Sequence, residues 1–308
     1  MTARSLIAGG QRLALPAFFP VTTFGGKFPL DDLVRPYLSR LAPGVMISYH
    51  YAKKMKKRPA GVVFIDSGGF ASLFEGSQAI DLGEVAIIKT KEGDQITPAD
   101  VLALQEKHAD IGATVDFLIP PDIRIEEAVH RQALTLKNAL WTIHARKRPS
   151  LLLYASVQAW DTESASRITR ALARYPFDGY ALGGMVPRIR RPDEIVDIVR
   201  GIRSVDTVRP LHVFGIGTPG LMRTLIAAGA DSFDSSSFVR AAVDGKRLSK
   251  TSGAWTDLDL DTEITGGDGD LIAHRLGSDY LGLESEANRM ALALANLQTL
   301  VQLGCRPD

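Results

Sequence analysis

The chain has 308 residues, a net charge of +1, 45% hydrophobic and 23% charged residues, the proportions of a globular protein long enough to bury a core without staples. Its single cysteine, Cys305, excludes an internal disulfide and any cysteine-rich zinc site and fits a reducing, cytoplasmic location. The opening MTARSLIAGGQRLALPAFFP lacks the apolar core of a signal peptide, and no run reaches the ~18 apolar residues that cross a bilayer, so a cytoplasmic protein with no membrane contact is expected.

In chain order, short β-rich runs recur at 17–23, 44–51, 61–69, 114–120, 150–158, 177–184, 211–217 and 230–237. They are apolar almost throughout, as parallel strands covered on both faces should be. Helical stretches separate most of them, at 30–42, 126–146, 163–175, 191–205 and 219–230. A further helix is predicted from 98, with Thr97 as its cap, Pro98 at its first position and Asp100 near its positive end. Within the long gap between Phe70 and Thr97, EVAIIKTKEGDQIT reads as a hairpin turning at Glu92-Gly93-Asp94. The tail 283–303 is an amphipathic helix suited to packing outside a barrel. Strand and helix alternating eight times predict a (β/α)8 barrel rather than an open doubly wound sheet, with the inserted hairpin lying over the catalytic face. The whole chain, 1–308, is expected to be one catalytic domain, with the barrel at about 15–245 and a C-terminal segment at 246–308.

Catalytic side chains of such a barrel come from the C-terminal ends of its strands. Those ends carry Asp66-Ser67-Gly68-Gly69-Phe70, Asp116, Gln158, Gly183-Gly184-Met185, Gly215-Ile216-Gly217 and Asp234. A lone carboxylate inside an apolar strand is costly to bury. Asp66, Asp116 and Asp234 therefore either tie loops through backbone amides and serines or converge in the barrel mouth. Converging carboxylates suit glycosidic chemistry, in which one attacks the sugar carbon and another moves protons. The glycine pairs allow a flat ligand to lie against backbone. Lys53, Lys54, Lys56, Lys57 and Arg58 form a basic run that reads equally as a solvated face or as a phosphate-facing patch.

These motifs resemble the tRNA-guanine transglycosylase family, its archaeal branch more than its bacterial one. The resemblance rests on DSGGF (66–70), TPADVLALQ (97–105), DIGATVDFLIPPD (110–122), VQ (157–158), ALGGMVP (181–187), HVFGIGTP (212–219) and GADSFDSSSF (229–238), in the family's order. It implies that Asp234 is the nucleophile that forms a covalent bond to the sugar's anomeric carbon, and that Asp66 is the general acid/base. It implies that Asp116 reads the Watson–Crick edge of guanine. Gln158, Gly183 and Gly184 then line the base pocket, with Ser67 and Phe70 shaping it. The incoming base would be a 7-deazaguanine such as 7-cyano-7-deazaguanine. No cofactor is implied, since one glycosidic bond replaces another.

Three departures bear on the polymer. The family's structural zinc is held by three cysteines and a histidine after the last strand, whereas this stretch offers acids and His274 but no cysteine, so no metal is expected. The glutamine that often follows DSGGF is Ala71, and no appended RNA-binding domain is recognised. These losses favour the DNA-guanine transglycosylase branch, with tRNA a close second as substrate. Either polymer would present an extruded guanine, with Lys53, Lys54, Lys56, Lys57, Arg58, Arg188, Arg190 and Arg240 as candidate phosphate contacts. A homodimer or an accessory protein is a further expectation. Two alternatives stay open: a non-catalytic nucleic-acid-binding subunit, and a nucleoside base-exchange enzyme or hydrolase.

Overall fold

The computed structural model describes residues 4–257 and 285–305. Eight parallel strands close into a barrel in which every strand pairs with its neighbours in the chain. They are β1 (Ala17–Thr22), β2 (Gly44–Ile47), β3 (Val62–Ile65), β4 (Ile111–Ala113), β5 (Leu152–Val157), β6 (Gly179–Leu182), β7 (Leu211–Val213) and β8 (Ser232–Ser235). The (β/α)8 architecture expected from the alternating runs is the one observed.

The core has two compartments. Between strands and helices lie the residues that made the runs look continuous, among them Val45, Ile47, Val63, Ile65, Leu153 and Leu182. Inside the barrel, Phe19, Met46, Phe64, Ile111, Tyr154 and Ala181 form a second cluster. The Phe64 ring stands 5.8 Å from that of Phe19 and 5.6 Å from that of Tyr154, so the interior is filled and the strand ends above it are fixed. From below it is closed by a hairpin (Arg4–Ala8 with Gln11–Leu15) that the strand reading missed. Its turn is Gly9-Gly10, with φ of +56° and +75°, the positive pair that a tight two-residue turn requires.

The fourth strand is displaced from its predicted place. The run 114–120 is apolar and extended, yet the ladder ends at Ala113. Beyond it the amides of Phe117, Leu118 and Ile119 donate instead to Thr135 Oγ1, Ser72 Oγ and Gln158 Oε1. Side chains satisfy this buried backbone, so a loop can follow a strand-like sequence, and Asp116 lies on that loop rather than in the strand. The helix expected at 30–42 is broken into Leu30–Val34, a 3-10 turn at Arg35–Tyr37 and Leu38–Leu41. Pro36, which has no N–H to continue the helix, sits at the break.

The other helices follow prediction closely. Pro98–His108 starts on Thr97, whose hydroxyl accepts from the Asp100 amide, and Ile125–Ala145, Thr162–Leu172, Pro192–Arg203 and Pro219–Ala228 alternate with the later strands. The tail helix, Ser285–Cys305, buries Leu292, Leu294, Leu297 and Leu300 on the barrel's outside. The insertion after β3 is a three-stranded sheet (Gln78–Asp81, Ala86–Lys89, Gln95–Ile96), one strand more than the predicted hairpin. Among the described residues no helix is long and apolar enough to cross a membrane. The cysteine-less stretch around His274 lies outside the described residues. With Cys305 as the sole cysteine of the chain, the donor set does not fit a three-cysteine zinc site.

Candidate active site

Above the aromatic interior, at the C-terminal ends of the strands, a cavity of about 740 Å³ opens. Asp66, Asp116 and Asp234 all line it, together with Ser67, Phe70, Gly183 and Gly184. The inserted sheet reaches over the cavity, as expected, through Thr90, Glu92, Asp94 and Ile96.

Asp66 directly follows β3. Its Oδ1 accepts from the amides of Tyr49 at 2.7 Å and Gly68 at 2.9 Å, the latter allowed by the left-handed φ of +73° at Gly68. Burial, together with the charges of Asp234 and Asp116, outweighs these amides and raises its carboxyl to about 7 from an ordinary 3.8. A carboxyl poised near neutrality can give and take a proton at physiological pH. The segment is held from behind by Gln105, whose Nε2 donates to the carbonyls of Ile65, Asp66 and Ala113. The matched sequence TPADVLALQ ends on this residue, yet no role for it follows from sequence alone.

Asp116 is 1% exposed. Its Oδ1 accepts from Ser67 Oγ at 2.6 Å and its Oδ2 from Gln158 Nε2 at 2.5 Å. Burial pushes the carboxyl above its usual range, against these two donors. Gln158, at the end of β5, is fixed in turn by the Ile119 amide on its Oε1. The glycines around the pair are required by this close approach. A Cβ on Gly183 would stand 2.6 Å from Asp116 Oδ2 and closer still to Gln158 Nε2, and one on Gly69 would overlap the Asp116 carboxylate. Asp116, Gly183 and Gly184 thus line the cavity, while Gln158 is fully buried behind them and acts on it through the Asp116 carboxylate. Phe70, 48% exposed, stands at the rim with its ring edge-on to Phe74 at 5.7 Å.

Asp234 is on β8, where Oδ1 accepts from the Gly215 amide at 2.9 Å and lies 3.0 Å from His212 Nε2. Gly215 has a φ of +75°, and a Cβ there would overlap Val186. His212 was not anticipated as a functional residue, although it is the one polar side chain in the LHV strand β7.

The basic residues do not form one surface. Lys53 lines the cavity and Lys54 is exposed beside it. The exposed Lys56 and Lys57 lie on the segment that descends to β3. Arg58 then pairs with Asp110 and the His108 carbonyl. Asp110 precedes β4, so Arg58 sits at the barrel end opposite the cavity and is not a phosphate contact for this site. Arg188 is corrected as well: it is 2% exposed and donates to the carbonyls of Ile119 and Gly184, fastening the loops on either side of Gln158. Arg190 and Arg240 are exposed on segments that follow β6 and β8, at the cavity end.

A family model described as queuine tRNA-ribosyltransferase matches residues 37–275. The tRNA-guanine(15) transglycosylase of Pyrococcus abyssi is 25% identical over 263 residues, covering 79% of this chain and 41% of that protein. A queuine tRNA-ribosyltransferase of Helicobacter pylori is 28% identical over 245 residues, covering 73% of this chain and 66% of that protein. The chain thus spans about two fifths of the length of the archaeal relative, and about two thirds of the bacterial one.

Proposed function

Since the chain belongs to the queuine tRNA-ribosyltransferase family, we propose that it exchanges guanine in a polynucleotide for another purine-like base through a glycosyl-aspartate. The observation that carries this reading is the convergence of three aspartates with different surroundings on one cavity. Neighbouring carboxyls held by different hydrogen-bond partners are the mark of divided roles in glycosidic chemistry.

Asp116 holds the guanine edge, with Ser67 and Gln158 orienting it and with Gly183 and Gly184 giving room for the ring. Phe70 supplies an apolar wall. Asp234 attacks the anomeric carbon C1′ as the bond from C1′ to N9 breaks, and Asp66 delivers a proton to the departing base. In the second half the incoming base yields its N9 proton to Asp66, N9 bonds to C1′, and the electron pair of the C1′–O bond returns to Asp234. Bonds made and broken balance, and no redox partner is needed. A 7-deazaguanine such as 7-cyano-7-deazaguanine is the incoming base we favour. Lys53, Lys54, Arg190 and Arg240 remain the candidate phosphate contacts at the cavity end, and one catalytic domain over 1–308 remains the proposed organisation.

The relatives' names support tRNA as the polymer. DNA is a second reading, favoured by the absence of cysteine from 246–304, which removes the donors of the family's zinc site. Radiolabelled guanine offered with bulk tRNA, single-stranded DNA and duplex DNA separates them. Label in tRNA supports the first reading and label in DNA alone the second. Label in neither polymer refutes polynucleotide exchange and moves the reading to a nucleoside substrate.

A further inference from the structure

The alternation of side chains along β8 puts Ser232 and Asp234 on the same face, and the β7–β8 register sets His212 opposite Ser232. The imidazole is fully buried and bridges the two: Nδ1 lies 2.9 Å from Ser232 Oγ and Nε2 lies 3.0 Å from Asp234 Oδ1. Its other neighbours are aromatic, with the rings of Phe214, Phe64 and Phe19 at 4.7, 4.8 and 6.2 Å. In such surroundings an apolar side chain would fill the space, so the polar ring calls for a polar explanation. A carboxylate only accepts, so the proton on the Asp234 side belongs to Nε2. In the neutral ring Nδ1 then accepts from the Ser232 hydroxyl, and this pairing fixes the tautomer.

Asp234 Oδ1 thus receives two donors, His212 and the Gly215 amide. No hydrogen bond to Oδ2 is made among the described residues, and the side chain lines the cavity. Resting on the glycosyl-aspartate reading above, we propose that His212 is a positioning residue with a specific task. It presents Oδ2 as the attacking atom and assists the second half-reaction by stabilising the carboxylate that leaves. Once Oδ2 is bonded to C1′, Oδ1 becomes the ester carbonyl and keeps both donors. As N9 of the incoming base bonds to C1′ and the C1′–Oδ2 bond breaks, the electron pair returns to the carboxylate. The charge reappearing on Oδ1 meets preplaced N–H groups, which need no reorganisation. The incoming base's proton goes to Asp66. Removal of the imidazole donor should therefore slow breakdown of the glycosyl-enzyme more than its formation, because an Oδ1 left with the Gly215 amide alone makes the carboxylate a better nucleophile and a poorer leaving group.

The test is a rapid-quench measurement of the covalent adduct with bulk tRNA and, in parallel, a guanine-containing single-stranded DNA, with guanine as incoming base. His212→Phe retains the aromatic packing and deletes the donor, and His212→Gln restores an N–H near the Nε2 position. The expected result is adduct formation within about threefold of wild type and breakdown about 10- to 100-fold slower in His212→Phe, the range for losing one charge-assisted hydrogen bond, with most of the loss recovered in His212→Gln. Ser232→Ala, which frees the tautomer, should shift the balance in the same direction and serves if His212→Phe does not fold. Adduct that depends on Asp234 but partitions as in wild type in the folded variants, or a parallel fall in both steps, overturns the role of His212 alone. No adduct in wild type, or one that survives Asp234→Ala, overturns the nucleophile reading and this inference with it.

Discussion

Asp66→Asn tests the electrostatic state of the site without using catalysis. The carboxyl is raised from 3.8 to about 7, with burial the largest cause. The folded state therefore holds a proton that the unfolded chain has released between those two values. Stability is lost as pH rises through this window, and the whole penalty is present above about pH 7. Such a displacement corresponds to about 4 kcal/mol. The cavity admits solvent beside the carboxyl, which screens part of it, so about 2–4 kcal/mol is expected. Asparagine retains an Oδ1 for the amides of Tyr49 and Gly68, so the local hydrogen bonds survive. Urea unfolding of wild type and Asp66→Asn at pH 5, 6, 7 and 8 should show the variant gaining stability relative to wild type as pH rises, by about 2–4 kcal/mol at pH 8. A difference that stays flat across this range, or a variant that loses stability toward pH 8, would refute the raised carboxyl and with it the basis for Asp66 as an acid at neutral pH.

Gly183→Ala should leave the barrel folded but force Gln158 and Asp116 apart, lowering guanine affinity at least about tenfold in calorimetric titration, the scale of one displaced charge-assisted bond; unchanged affinity would show that the cavity is not the base site. Asp116→Asn should weaken guanine binding by about 1.5–3 kcal/mol in the same titration, and an unaltered Kd would remove that residue from recognition. Arg188→Met strands the carbonyls of Ile119 and Gly184. It should cost about 2–4 kcal/mol of stability while leaving the salt dependence of polynucleotide binding as in wild type, whereas a weakened salt dependence would restore Arg188 to the phosphate contacts.

The barrel was legible because its strands are covered on both faces and announce themselves as apolar runs, and because Thr97-Pro98 marks a helix start without ambiguity. The fourth strand was misplaced because composition cannot distinguish backbone satisfied by a ladder from backbone satisfied by Thr135, Ser72 and Gln158. The floor hairpin was missed although Gly9-Gly10 between two alternating runs is a turn signal. The aspartates stood out as charges in apolar strands, while His212 and Gln105, which orient the Asp234 and Asp66 segments, did not. Their partners lie 22 and 39 residues away in the chain, and a buried polar side chain declares its role only once its partner is in view. Arg58 and Arg188 failed for the converse reason: a cation in sequence says nothing about which end of a barrel it occupies, or whether backbone carbonyls already hold it.

The most direct test of the central claim is to quench wild-type protein with bulk tRNA or guanine-containing DNA in denaturant, digest it, and locate the attached sugar by mass spectrometry. The account predicts a sugar-bearing adduct on the peptide that contains Asp234, chased away by excess guanine. An adduct on another peptide, or guanine exchange that proceeds with no adduct at any time, would contradict it.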